Sequence, residues 1–193
     1  MVVVGTDRQF AGIVKVDTHV RKTDMSVVYT NDPVVVDSSI NMLEQLLAED
    51  DKYKVVGFDL EYTDGCVGHD HMVVVAHLCV RHHVLVYHYW LATRPCKCFV
   101  MFGNNPDYRF ATMDTTNDLK VLKTSCLSCQ KLVNIQDMKV ECEKDKSVWH
   151  QTWVNKLDEE HIEYVAKDAY TSYEMYRRIV DMRKCLLPAN GEG

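Results

Sequence analysis

The chain has 193 residues, 47% hydrophobic and 26% charged, with a formal net charge of −6 from 28 acidic and 22 basic side chains. That size and balance suit one globular domain with a real core, and the acidic surplus argues against sequence-independent nucleic-acid binding through a basic surface. No apolar run approaches the roughly 20 residues of a membrane span, and the opening MVVVGTDRQF lacks the regions of a secretory signal. Eight cysteines then read as reduced thiols, and the expected location is nucleus or cytoplasm.

In chain order, AGIVKVDTHVRK and DMSVVYT are rich in β-branched residues with partial alternation, which predicts two strands paired as a hairpin. NDP punctuates, and DSSINMLEQLLAEDD predicts a helix capped by Asp37 or Ser38, with Ile40, Leu43, Leu46 and Leu47 as its apolar stripe. YKVVGFDLEYT predicts a strand carrying an anomaly: Asp59 and Glu61 lie two apart, so both carboxylates point to one face. TDGCVGHDH reads as a turn, and MVVVAHLCV and HVLVYHYW as strands separated by RHH. CKCFVMFGNN predicts a short helix, YRFATMD a strand, TNDLKVLKTS a helix opened by Thr116 or Asn117, and KLVNIQDM a further strand. LDEEHIEYVAKDAYTSYEMYRRIVDMRK is the clearest helix of the chain. This order predicts a single α/β domain in which helices cover a mixed sheet.

Two carboxylates held together against apolar surface need a cation. In the last helix Tyr164 and Asp168 lie four apart on one face, beside the stripe Ile162, Val165, Ala169, Tyr173 and Tyr176. Asp118 stands in the first turn of the preceding helix, with Asp114 and Asp107 as rivals. Brought together, Asp59, Glu61, Asp118 and Asp168 would hold Mg²⁺ or Mn²⁺, hard ions that favour carboxylate oxygen. Two such ions about 4 Å apart would clamp the attacking and leaving oxygens of a phosphoryl transfer, and Tyr164 could orient the water.

VVGFDLEYT, NDLKVL and YVAKDAYTSYEMYRRI, in that order, resemble the three motifs of the DEDD exonucleases. Tyr164 marks the DEDDy branch, which includes RNase D, and LCV with WVNKLDEEHIEYVAKDAY is most similar to the Werner-syndrome-like exonuclease domains, in a divergent plant form. The resemblance implies an RNase H-like fold with a mixed sheet of about five or six strands. It implies a domain over 27–183, preceded by an extension at 1–26 and followed by a disordered tail at 184–193. It implies 3′–5′ hydrolysis of DNA or RNA to nucleoside 5′-monophosphates. Asp59 would bridge two ions, Glu61 and Asp168 would complete the site of the ion carrying the attacking water, Asp118 would serve the second ion, and Tyr164 would position the nucleophile. The implied partner is a nucleic-acid 3′ end, with room for a homo-oligomer or a protein partner.

Three positions depart from the family pattern. Tyr62 follows Glu61 where tryptophan is common, and His77 stands where glutamine is usual. Only KVECEKDKSV, residues 139–148, occupies the place of several turns of leucine-rich helix. With the acidic charge, that shortening supports an alternative: a weak or inactive exonuclease-like protein acting by binding nucleic acid or protein. Plainer roles exist for the same residues. Asp59 and Glu61 could face water, Asp118 could serve the helix dipole, and Tyr164 and Asp168 could be a helix boundary. CKC and CLSC invite zinc but miss its usual ligand spacing, so idle thiols fit them better. The aromatic run YHYW could stack on bases, although strand packing explains it as well.

Overall fold

The computed structural model describes residues 9–18, 21–50, 52–63, 70–138 and 153–186. Seven strands form one mixed sheet: β1 (Gln9–Thr18), β2 (Arg21–Thr30), β3 (Val55–Tyr62), β4 (Val73–Val80), β5 (His83–Tyr87), β6 (Arg109–Thr112) and β7 (Leu132–Asn134). Their spatial order is β1-β2-β5-β4-β3-β6-β7. The β1–β2, β5–β4 and β4–β3 pairs are antiparallel, whereas β2–β5, β3–β6 and β6–β7 are parallel. β4 is buried along its whole length, as an apolar central strand covered on both faces should be.

Four helices cover the sheet: α1 (Pro33–Ala48), α2 (Lys97–Gly103), α3 (Thr115–Thr124) and α4 (Glu159–Leu186). Gly57 faces α4 so closely that an added Cβ would lie 2.0 Å from the Ala169 carbonyl oxygen. A glycine is needed there because any side chain would push the helix off the sheet. By alternation Asp59 and Glu61 share the Gly57 face. Phe58 points the other way, where its ring meets Phe110, and Phe110 in turn meets Phe102 of α2. So α4 lies on the acid-bearing face, and α2, with α1 packed against it, lies on the opposite one. Val36, Ile40, Leu43 and Leu47 form the buried stripe of α1. Each such side chain stabilises the fold by about 1.5–3 kcal/mol.

Several expectations change in detail. The sheet has seven strands rather than five or six, because both arms of the amino-terminal hairpin join it; β2, which runs through the expected boundary at residue 26, pairs with β5. The first helix begins at Pro33, and its cap is Asp32, whose carboxylate accepts the Val34 N–H at 2.9 Å. Proline at the first helical position has no N–H to leave unpaired, so NDP starts the helix rather than merely ending the strand. The cap of α3 is Asp114, not Thr116 or Asn117. The short segment 139–148 and the tail beyond Leu186 lie outside the described residues.

Candidate active site

The last helix runs antiparallel to β3. Its distal half meets Tyr53, which precedes the strand: the Arg177 guanidinium lies 5.1 Å from the Tyr53 ring, and the Tyr53 hydroxyl bonds Asp181. Farther along the strand, Gly57 lies under Ala169 and Tyr173. One more helical turn advances about 5.4 Å, and two strand residues advance about 6.6 Å. Asp168 and the turn before it therefore reach the level of Asp59 and Glu61. Both elements carry acids to this end of the sheet for one reason, the contact at Gly57.

Asp59 is buried, 5% exposed, and its Oδ1 accepts the Leu60 N–H at 3.0 Å. Glu61 and Asp168 are half-buried. Tyr164 is half-buried as well, with the Trp153 ring 6.1 Å away. Asp118 is 3% exposed and reaches the site from α3, beyond the carboxyl ends of β3 and β6; its Oδ2 accepts the Thr112 hydroxyl at 2.6 Å. Tyr62 links the groups. Burial, then the charges of Glu61, Asp114, Asp118 and Asp59 in turn, push its phenol above the usual value. Four carboxylates thus act on one phenol at that rim.

The rival acids separate by what they do. Asp114 is exposed, and the Asn117 backbone N–H and side-chain amide bond its two oxygens at 3.1 and 2.6 Å. Asp107 precedes β6, at the opposite end of the sheet from Glu61. Asp118 alone of the three is buried toward the rim.

Two neighbours of the acids come into view with the strand pairing: His77, known from the sequence only as a departure from the family pattern, and Thr112. His77 is the direct antiparallel partner of Asp59 and is fully buried, so its imidazole stands on the α4 face beside that carboxylate. Thr112 holds Asp118 across a separation of six residues. The signal for His77 was register, readable only once DLEY and VAHL were aligned as partners. The Cys129 thiol contributes no charge: burial pushes it up to about 12, with the Lys131 N–H pulling the other way and the Asp118 charge adding to the rise. Cys96 is raised to about 11 by burial and by its bond to Asp37.

The entry to α4 is tied to the sheet. The Leu157 N–H donates to the Tyr29 hydroxyl at 3.2 Å, and that hydroxyl is hydrogen-bonded to His88 Nδ1 at 2.8 Å. Asp158 caps the helix through the His161 N–H at 3.0 Å, and this bond, followed by the one to the His161 ring, holds the carboxyl below the usual range.

The donor set at this rim is carboxylate oxygen, which fits a hard divalent cation and not a soft one. Among the described residues no three histidine, cysteine, aspartate or glutamate side chains are grouped closely enough to hold an ion as they stand. Nor is any described helix long and apolar enough to cross a membrane.

No model of a known protein family matches the sequence, and no curated protein matches it. Solved structures do match. The EXO domain of Aedes aegypti Nibbler is similar with a TM-score of 0.61 and 16% identity, over 78% of this chain and 87% of that one. RNase D of Escherichia coli, an exoribonuclease of structured RNA processing, gives 0.62 and 16%, over 77% of this chain and 44% of its own. The catalytic core of RRP6 from Trypanosoma brucei gives 0.59 and 15%, over 76% and 46%. The chain thus spans under half the length of the last two. Its fold is the RNase H-like α/β fold of these exonuclease domains.

Proposed function

We propose that the chain is a 3′–5′ exonuclease of the DEDDy type, Werner-like in its motifs, which hydrolyses DNA or RNA from the 3′ end. The observation that carries this is the packing of Ala169 on Gly57, which aligns the Asp59–Glu61 strand with the Tyr164–Asp168 turn at the end of the sheet where Asp118 is buried. The fold shared with exonuclease domains supports it.

Asp59, Glu61, Asp118 and Asp168 would hold Mg²⁺ or Mn²⁺, two ions in all. Bound, these supply charge neutralisation for the phosphodiester and a water of lowered pKa. Asp59 and Asp118 are held by the Leu60 N–H and the Thr112 hydroxyl, and the half-buried Glu61 and Asp168 would complete the set. Tyr164, packed on Trp153, orients a water with its hydroxyl at the helix edge. The buried surroundings of Asp59 and Asp118 exclude bulk water and strengthen the electrostatics of the site.

A second function class is a binding protein without turnover. The acidic net charge and the short segment 139–148 favour it. One experiment separates the two. Single-stranded and recessed-end DNA and RNA, labelled at the 5′ end, are incubated with the protein and Mg²⁺ or Mn²⁺. Stepwise 3′ shortening, absent in Asp59→Ala and with chelator, establishes the exonuclease. Folded protein that leaves every substrate intact overturns it.

A further inference from the structure

At the end of the sheet opposite the acids, four cations converge on one tyrosine. Tyr53 precedes β3 and is 5% exposed. Lys52 Nζ lies 4.7 Å from its ring centroid, the Arg177 guanidinium 5.1 Å and Lys184 Nζ 5.6 Å. Arg109, at the start of β6, donates to the Tyr53 carbonyl at 3.4 Å. Lys52, Arg109 and Lys184 are exposed, whereas Arg177 is half-buried against the rings of Tyr53 and Tyr173.

The carboxylates at this end are fewer and already engaged. Asp181 takes Lys52 at 2.6 Å and the Tyr53 hydroxyl, and these bonds, in that order, hold its carboxyl below the usual range. Glu174 is shared between Arg178 at 3.0 Å and Arg177 at 3.8 Å. Asp50 accepts the backbone N–H groups of Lys52 and Tyr53, each at 3.2 Å. Among the described residues no carboxylate pairs with Arg109 or Lys184. The net charge of −6 thus conceals a segregation, with acids gathered at one end of β3 and a surplus of cations at the other. Cations held this close repel one another, and the ring face offsets only part of that. An anion with several charges relieves the rest.

The six residues from Tyr53 to Asp59 span about 20 Å of extended chain. The sixteen from Asp168 to Lys184 span about 24 Å of helix. A stacked nucleic-acid strand carries a phosphate every ~3.4 Å along its axis, so either distance corresponds to about six or seven nucleotides. The acids of the rim repel any phosphate that a bound cation leaves uncovered, so a strand gains its hold farther along. We propose that Lys52, Arg109 and Lys184 bind the phosphate backbone of the substrate strand about six or seven nucleotides before its 3′ end. This rests on the exonuclease function proposed above. It adds a dependence on strand length without dependence on sequence, because phosphate contacts carry no base information.

The test uses the whole chain and 5′-labelled single strands of DNA and of RNA, about 12 and about 4 nucleotides long, lengths on either side of that span. Binding of the longer strands is followed by fluorescence anisotropy in chelator, which stops turnover. Three phosphate contacts give a slope of log affinity on log salt of about −2, a loss of about 20-fold between 50 and 200 mM. Lys52→Gln, Arg109→Gln and Lys184→Gln should each reduce the slope by about 0.7, and Lys184→Arg should keep it. Lys97→Gln, an equal loss of charge on α2 and the opposite face, should leave it unchanged. Lys52→Gln also breaks the Asp181 bond, so if it unfolds the exposed Lys184 decides. With Mg²⁺ or Mn²⁺, Lys184→Gln should raise KM for the longer strands about 8-fold at 50 mM salt, the gain of one contact. KM for the shorter strands and kcat for both should hold. An unchanged slope in all three variants, or an equal drop in Lys97→Gln, overturns the surface. Shortening by the wild type with no rise of KM in Lys184→Gln overturns it as a substrate contact and leaves the exonuclease standing. A wild type that binds with the expected slope and shortens nothing removes the exonuclease and keeps the surface, as that of a binding protein. Binding to phosphatidylserine vesicles but to neither DNA nor RNA makes it a membrane contact and overturns the proposal.

Discussion

Asp59 on β3 and His77 on β4 are direct cross-strand partners, 5% and 0% exposed. One of the two buried carboxylates of the candidate site thus has a ring as its wall on one side and the Leu60 N–H as a donor. Asp59→Asn keeps the volume of the side chain and the shape that His77 packs on. Stability in urea should stay within about 1 kcal/mol of wild type, while 3′ shortening falls to background. A variant that unfolds would show instead that the charge itself holds the strand pair.

Thr112 offers a sharper separation of structure from chemistry. Its hydroxyl is buried and donates to a carboxylate, a bond contributing about 1.5–3 kcal/mol. Thr112→Val should lower urea stability by that amount and release the Asp118 side chain. Wild-type behaviour in both urea and Mn²⁺ titration would mean Asp118 is held by something else.

Gly57→Ala tests the contact that aligns the two acid-bearing elements. The new Cβ would lie 2.0 Å from the Ala169 carbonyl and 2.7 Å from the Tyr173 nitrogen, both backbone atoms. Neither can rotate aside, so α4 must move as a whole. A loss of about 3 kcal/mol or more is expected, and any protein that still folds should have lost activity, because Tyr164 and Asp168 move with the helix.

The tether from β2 to α4 predicts a pH dependence. Burial holds His88 down to about 4, from an ordinary value of 6.5. Between those two pH values the unfolded chain binds a proton that the folded chain does not, so stability falls as pH drops from 6.5 toward 4. The loss from this one group is at most about 3 kcal/mol. His88→Phe should be less stable at pH 8, having lost the Tyr29 hydrogen bond, and should lose less on acidification. Urea midpoints measured from pH 8 to 4 check both.

How far these features were legible in the sequence follows from the range over which each acts. Helical periodicity and strand alternation are local, which is why α4 and the face shared by Asp59 and Glu61 could be read from spacing alone. The start of α1 was missed although it too is local: Pro33 reads as a breaker unless its place at a helix start is weighed with the Asp32 cap. Sheet size, the choice among Asp107, Asp114 and Asp118, and the neighbour of Asp59 depend on pairing between distant segments. The β1–β2 arms look like a free-standing hairpin until β2 is found beside β5. His77 stands out in the sequence only as a departure from the family pattern, and becomes the neighbour of Asp59 once its register is known. The β3–β4 pairing shows a further limit: its register shifts by one residue between Glu61 and Tyr62, and nothing in the sequence marks the shift.

The last helix is 28 residues long, about 42 Å, and it is fastened at three stations. Asp158 and the Tyr29–Leu157 bond secure its first turn, Gly57 its middle, and Tyr53, with Arg177 and Asp181, its far part. A bar pinned at three points has little freedom to tilt. Wear at the remote pin, such as loss of the Tyr53 hydroxyl, would be felt as misalignment at Asp168, nearly the whole strand away. Precision at the acidic rim is in this sense a property of the entire helix rather than of the turn that carries the acid.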